Sequence, residues 1–100
     1  MLVEPLLGEY ELDDTARGIP ESGISVPKLR VELAVSELPD EAWFSELTIL
    51  DRLPVFGGDT VKVEARIMND AFREKVARTR PLLTVRYGPH IVGKLRLAQN

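Results

Sequence analysis

The chain has 100 residues, of which 44% are hydrophobic and 29% are charged, and it contains no cysteine. This length and composition predict one folded domain and exclude disulfides, thiolate metal sites and thiol nucleophiles. The formal net charge of −3 at pH 7 opposes nucleic-acid binding by the chain as a whole.

The first 27 residues are predicted to form a partly ordered arm, followed by a single β-barrel domain at residues 28–100. Glycine and proline punctuate residues 8–27, which is typical of a loop. The apolar residues before this loop could dock on the barrel or on a second subunit, or could form a frayed terminus. No basic leader precedes them, and no apolar run approaches the roughly 20 residues that span a bilayer. We therefore expect no membrane segment and a cytoplasmic location.

Alternation of apolar and polar residues predicts half-buried strands at residues 28–36 and 61–67. Residues 39–50 are ambiguous between helix and strand, because Pro39 and Asp40 could open a helix whereas residues 44–50 are rich in strand formers. We expect a short helical turn followed by a strand near residues 47–50, with Trp43 and Phe44 in the core. Residues 57–60 predict a turn.

A helix is predicted at residues 71–79, with Asn69 or Asp70 as its N-cap and with Phe72 and Val76 on its inner face. Two further strands, at residues 83–87 and 91–97, are expected to pair antiparallel across a short turn, with Tyr87 facing inward. Many short strands and few helices favour an all-β fold. The expected architecture is a small antiparallel, Greek-key-like barrel with one or two short helices.

Two of these segments carry a family resemblance. In residues 58–67 a Gly-Asp turn enters a long strand, and residues 83–93 contain a strand, a Gly-containing turn and a strand with a Val-Gly pair. Together with the strand at residues 29–35, they resemble the C-terminal β-barrel of elongation factor Tu over about residues 28–98. The resemblance implies a stand-alone barrel that binds protein partners or tRNA. It implies no nucleotide hydrolysis, because the GTPase domain of that family has no counterpart in this sequence.

No set of residues in the sequence predicts an enzyme, a cofactor site or a metal site. His90 is the one histidine, no serine has the spacing of a nucleophile elbow, and His90 has no second histidine or cysteine with which to share a metal. We expect His90 to be an exposed turn residue. The turn at residues 57–60 lacks the Gly-Lys-Ser/Thr ending of a phosphate-binding loop. The expectation is therefore a protein without enzymatic activity, cofactor or metal.

The charges are divided between the two halves of the chain. Residues 1–60 carry thirteen acids and four bases, whereas residues 61–100 carry nine bases and three acids. Seven of these bases are predicted to lie on one side of the fold, formed by the helix and the last two strands. We call this set the basic face: Arg73, Lys75, Arg78, Arg80, Arg86, Lys94 and Arg96.

The basic face allows three interpretations. It could be a solvated surface neutralised by the acidic arm, a site for a protein partner with an acidic patch, or an RNA-binding site. With Tyr87 inside, the face lacks the exposed aromatic rings on which single-stranded bases stack. Non-enzymatic binding of a protein partner is our leading hypothesis, and RNA binding, which the elongation-factor resemblance supports, is the alternative. The oligomeric state is left open.

Overall fold

A computed structural model of the protein describes residues 5–14, 22–38 and 40–98. Antiparallel strands in these residues close into a barrel in the order β1-β4-β3-β2-β5-β6, and a single helix α1 connects β4 to β5. The bounds are β1 Leu6–Leu12, β2 Lys28–Val35, β3 Trp43–Ile49, β4 Thr60–Ile67, α1 Asp70–Thr79, β5 Leu83–Tyr87 and β6 His90–Leu97. The prediction of a small antiparallel, mainly β barrel is confirmed.

The strand order contains a Greek key. Strands β2, β3 and β4 follow one another in the chain and pair as antiparallel neighbours. Strand β1 pairs with β4, although a long connection joins β1 to β2 in the chain. This 1-4-3-2 arrangement defines the motif. The β5–β6 hairpin then fills the space between β2 and β1, so both edges of the sheet are hydrogen-bonded. Closure of this kind removes the exposed edges that would otherwise recruit other strands.

The core consists of alternate residues from every strand, because successive side chains of a strand point to opposite faces of the sheet. Leu33 on β2, Leu47 on β3, Val63 on β4 and Val85 on β5 have no exposed surface. The polar residues between them face outward. The two strands that alternation predicts in the sequence, β2 and β4, are therefore found with the expected faces inside.

Helix α1 covers one end of the barrel, which we call the helix end. The side chain of Asn69 accepts a hydrogen bond of 2.8 Å from the backbone N–H of Phe72 and caps the first turn. Phe72 and Val76 are buried in the barrel core, and the Phe72 ring lies 5.9 Å from that of Trp43. Arg80 ends the helix in the left-handed conformation, with φ 46°. The predicted helix, its cap and its inner face are confirmed.

The opposite end, which we call the loop end, is covered by the segments that precede β2 and β4. Ile24 and Val55 form a β-bridge with hydrogen bonds of 2.8 and 2.9 Å in the two directions, and both side chains are buried. The N–H of Ile49 bonds to the carbonyl of Pro27 and extends the pairing of β2 with β3. These contacts cover part of the loop end.

The prediction of a loop from residue 8 onward is wrong for residues 8–12, which belong to β1. This strand pairs with β4 on one side and with β6 on the other, so the barrel does not begin at residue 28. Gly8 looks like a loop residue, but a side chain there would place its Cβ 2.5 Å from the carbonyl oxygen of Arg96. Close approach of β6 thus explains the glycine. Of the predicted arm, residues 1–4 and 15–21 lie outside the described residues.

Residues 43–49 form one continuous strand, and the described residues just before it, 40–42, are not helical. The short helical turn was therefore a wrong prediction. Pairing with β2 and β4 sets the face of each side chain: Ser45, Leu47 and Ile49 are buried, whereas Phe44 is 74% exposed. Trp43 is 40% exposed at the start of the strand. The prediction of this aromatic pair as core is therefore also wrong.

The β5–β6 hairpin is present as predicted, but its side-chain phase changes along its length. A register shift between Val85 and Arg86 makes Arg86 pair with Ile91, so Val92 is buried and Ile91 is exposed. Tyr87, predicted to face inward, is 48% exposed because β5 ends there, at the rim of the loop end.

In the described parts of the chain, no helix is long and apolar enough to cross a membrane.

Candidate binding surface

Two exposed members of the basic face are on β6. Lys94 and Arg96 point away from the core, are exposed, and lie directly opposite Glu11 and Glu9 of β1. Directly opposed side chains have Cβ atoms about 5 Å apart. Within the described residues, neither base has a carboxylate within 4 Å. Both cationic groups therefore extend into solvent beside a row of acids.

Two members on α1 are fixed by contacts within the protein. The guanidinium of Arg73 lies 3.0 Å from the carboxylate of Asp70 and 3.4 Å from the carbonyl oxygen of Ile67. Arg80 donates a side-chain hydrogen bond to the carbonyl oxygen of Ala98, the residue after β6. This second contact joins the end of α1 to the end of β6.

The remaining members lie in three different settings. Arg78 is exposed in the last turn of α1. Lys75 lines a hollow at the helix end together with Glu41 and Trp43. Arg86 projects from β5 opposite Glu32 of β2. The structure thus brings Arg78, Arg80, Lys94 and Arg96 onto two joined elements, and places Arg73, Lys75 and Arg86 in other surroundings.

The acidic and basic halves of the sequence alternate around the barrel. Glu9 of β1 lies between Lys62 of β4 and Arg96 of β6. Glu46 of β3 likewise lies between Arg30 of β2 and Arg66 of β4. Opposite charges on facing positions stabilise a sheet by a few tenths of a kcal/mol per pair, up to about 1 kcal/mol. The charge division along the sequence therefore becomes a mixed surface in the folded chain.

A groove on the outside of β2, β3 and β5 combines aromatic and charged side chains. Its volume is about 380 Å³, and its lining includes Arg30, Glu32, Phe44, Arg86 and Tyr87. We call it the arginine groove. Phe44 and Tyr87 are both substantially exposed. Flat rings next to guanidinium groups can stack on planar ligands, and the one carboxylate in the groove opposes anions.

A second opening lies at the loop end and shares Tyr87 and Val31 with the arginine groove. It has a volume of about 320 Å³, and we call it the mouth hollow. Its walls are mainly aliphatic, and Tyr10 lines it from inside the barrel. The principal lining side chains are Tyr10, Ile24, Val26, Leu29, Tyr87 and Val92.

The aromatic part of this surface was not predicted from the sequence. Phe44 is in phase with the outward-facing Glu46 and Thr48, so alternation alone could have placed it outside. Tyr87 is in phase with the buried Leu83 and Val85, and only the end of the strand exposes it. No sequence signal would have marked that position.

His90 is half-buried as the first residue of β6, where it pairs with Tyr87. It was expected in the turn, which the structure confines to residues 88 and 89.

Comparisons with models of known protein families, with curated proteins and with solved structures gave no match. The resemblance to the elongation-factor barrel therefore stays a prediction.

Proposed function

We propose that this protein is a non-enzymatic binding module that engages a protein partner through the basic face. The observation that carries the proposal is the contact of Arg80 with Ala98, which joins α1 to the end of β6. The exposed bases Arg78, Lys94 and Arg96 then lie on two adjoining elements. A partner with carboxylates on its surface would complement them and would associate faster at low salt.

The acids beside these bases favour a protein partner over a nucleic acid. Glu9 and Glu11 lie directly opposite Arg96 and Lys94. A phosphate chain running along the basic face would approach those carboxylates at every step and would be repelled. An acidic protein surface can instead offer separate carboxylates to the bases and polar groups to the acids.

Charge reversal on β6, compared with the same change on β4, tests the proposal. We expect Lys94→Glu with Arg96→Glu to abolish capture of a protein that the wild-type chain retains from lysate of the source cell. The matched control is Lys62→Glu with Arg66→Glu on β4, which makes the same charge change at exposed, outward positions. Equal loss in both variants, or no loss in either, would rule out the basic face as the binding site.

One observation favours RNA as a second candidate. The exposed rings of Phe44 and Tyr87 border the same groove as Arg30 and Arg86, and aromatic stacking contributes about 1 to 3 kcal/mol per base. Fluorescence anisotropy with labelled oligouridylate tests it. Phe44→Ala should then weaken binding about tenfold, while the protein captured through the basic face should be retained. Unchanged anisotropy on adding the protein would remove this candidate.

A further inference from the structure

The Tyr10 side chain combines deep burial with a hydroxyl group that has no hydrogen bond to any described residue. The residue is 1% exposed, and its ring lies against Gly93 inside the barrel. Within the described part of the chain, no hydrogen bond is found for this hydroxyl. In the same residues, every side-chain oxygen or nitrogen that is completely buried has a hydrogen-bond partner. The hydroxyl oxygen therefore keeps a small solvent-accessible area. The mouth hollow is the opening that Tyr10 lines.

We propose that the mouth hollow binds a small, neutral, mainly apolar molecule whose one oxygen acceptor, such as a ketone, ester or ether oxygen, bonds to the Tyr10 hydroxyl. The site is distinct from the basic face and does not depend on the proposed function. Its volume of about 320 Å³ is within the range of small-molecule sites, which often lie in the mouths of β-barrels.

The walls of the hollow determine the class of ligand. Ile24, Leu29 and Val92 contribute aliphatic surface, and the rim is formed by Val26 and Tyr87, each about half-exposed. Burying this surface under a ligand is favourable by roughly 25 cal/mol per Å². A charged group would lose its hydration in the hollow and gain no opposite charge from the described residues that line it, because these carry none.

The hydroxyl is held in the form that donates. Burial raises the pKa of Tyr10 well above its ordinary value, and the negative charge of Asp13 raises it further. Tyr10 thus keeps its proton at neutral pH. An acceptor oxygen on the ligand gives this donor the partner that the described residues do not supply, and the same nearby charge disfavours an anionic ligand.

Acetophenone and ethylbenzene are matched probes, because they differ only in that a CH2 group replaces the carbonyl group. In NMR titrations of the full chain, we expect acetophenone to shift the amide signals of residues 22–26, 87–88 and 90–92. Tyr10→Phe should weaken acetophenone about fivefold, which is the net worth of one hydrogen bond, and should leave ethylbenzene within twofold. Tyr87→Phe is the control, since it removes a hydroxyl from the rim of the same hollow.

A second variant tests the hollow without touching the core. Val26→Arg places a charged side chain at a rim position that is 55% exposed, so the fold should be retained while both probes bind at least about tenfold more weakly. Three results would overturn the proposal: no shifts at the loop end, equal weakening of both probes by Tyr10→Phe, or an equal effect of Tyr87→Phe on acetophenone.

Discussion

The ring of Tyr10 on β1 occupies the space that a side chain at position 93 on β6 would need. A Cβ atom at Gly93 would lie 2.6 Å from Cε1 of Tyr10 and still closer to the carbonyl oxygen of Glu11. Such distances are well inside van der Waals contact, and one of the two atoms belongs to the backbone. The pairing of β1 with β6, which closes the barrel, therefore depends on a glycine at this position.

We expect Gly93→Ala to lower the free energy of unfolding by about 1 to 3 kcal/mol, because the core around Tyr10 and the backbone of β1 must shift. Urea denaturation followed by Trp43 fluorescence measures this. Gly88→Asn is the control, since position 88 has φ 61° and open space around its Cβ, and asparagine tolerates the left-handed conformation. An equal loss in the two variants would contradict the packing argument.

Two phenylalanines should respond in opposite ways to truncation. Phe72 is 8% exposed and seals the helix end, whereas Phe44 is 74% exposed on β3. Phe72→Ala should cost about 3 to 5 kcal/mol of unfolding free energy, because it leaves a cavity under α1. Phe44→Ala should change stability by no more than about 0.5 kcal/mol. A stability loss at Phe44 comparable with that at Phe72 would mean that Phe44 is covered in solution.

The hydrogen bond by which Asn69 caps α1 should contribute measurably to the free energy of unfolding. Asn69→Ala removes the 2.8 Å hydrogen bond to the N–H of Phe72 and should cost about 1 kcal/mol, whereas Asn69→Ser keeps a capping oxygen and should cost less. Thermal unfolding of the three proteins compares them. If alanine and serine are equally destabilising, the hydrogen bond is not what Asn69 contributes.

The sequence predicted the elements whose signals are local. Strand β4 alternates strictly along its length, β2 alternates except at Ala34, and α1 carries its own cap and its own terminator at Arg80-Pro81, so these elements were found without the fold. Strand β1 was missed because Gly8 interrupts its pattern. A glycine is required there because the backbone of β6, about ninety residues away in the sequence, lies too close for a side chain. The residues around Gly8 in the sequence do not reveal this contact.

The candidate site was less predictable than the fold for a related reason. Which bases share a surface depends on strand order, and the order β1-β4-β3-β2-β5-β6 places acids of the first half between bases of the second. The alternation of Glu9 with Lys62 and Arg96 follows from that order together with the register of the paired strands. The mouth hollow likewise exists only because residues 22–26, β2, β5 and β6 meet at the loop end.

Stability should fall at alkaline pH through Tyr10. Burial, together with the charge of Asp13, raises the pKa of Tyr10 in the folded chain above its ordinary value of 10.0. Above that pH the unfolded chain releases the phenolic proton while the folded chain keeps it, so the unfolded state binds fewer protons and unfolding becomes more favourable. The contribution is therefore complete below pH 10 and is lost as the pH rises.

Tyr10→Phe removes this ionisation from both states. The free energy of unfolding of the wild-type chain should fall faster than that of Tyr10→Phe above pH 10, by up to about 1.4 kcal/mol per pH unit. Urea denaturation at a series of pH values measures both slopes. Tyr87→Phe, which removes a half-exposed phenol, is the matched control. Parallel slopes for wild type and Tyr10→Phe would show that the phenol ionises as readily in the folded chain as in the unfolded one, which its burial beside Gly93 does not allow.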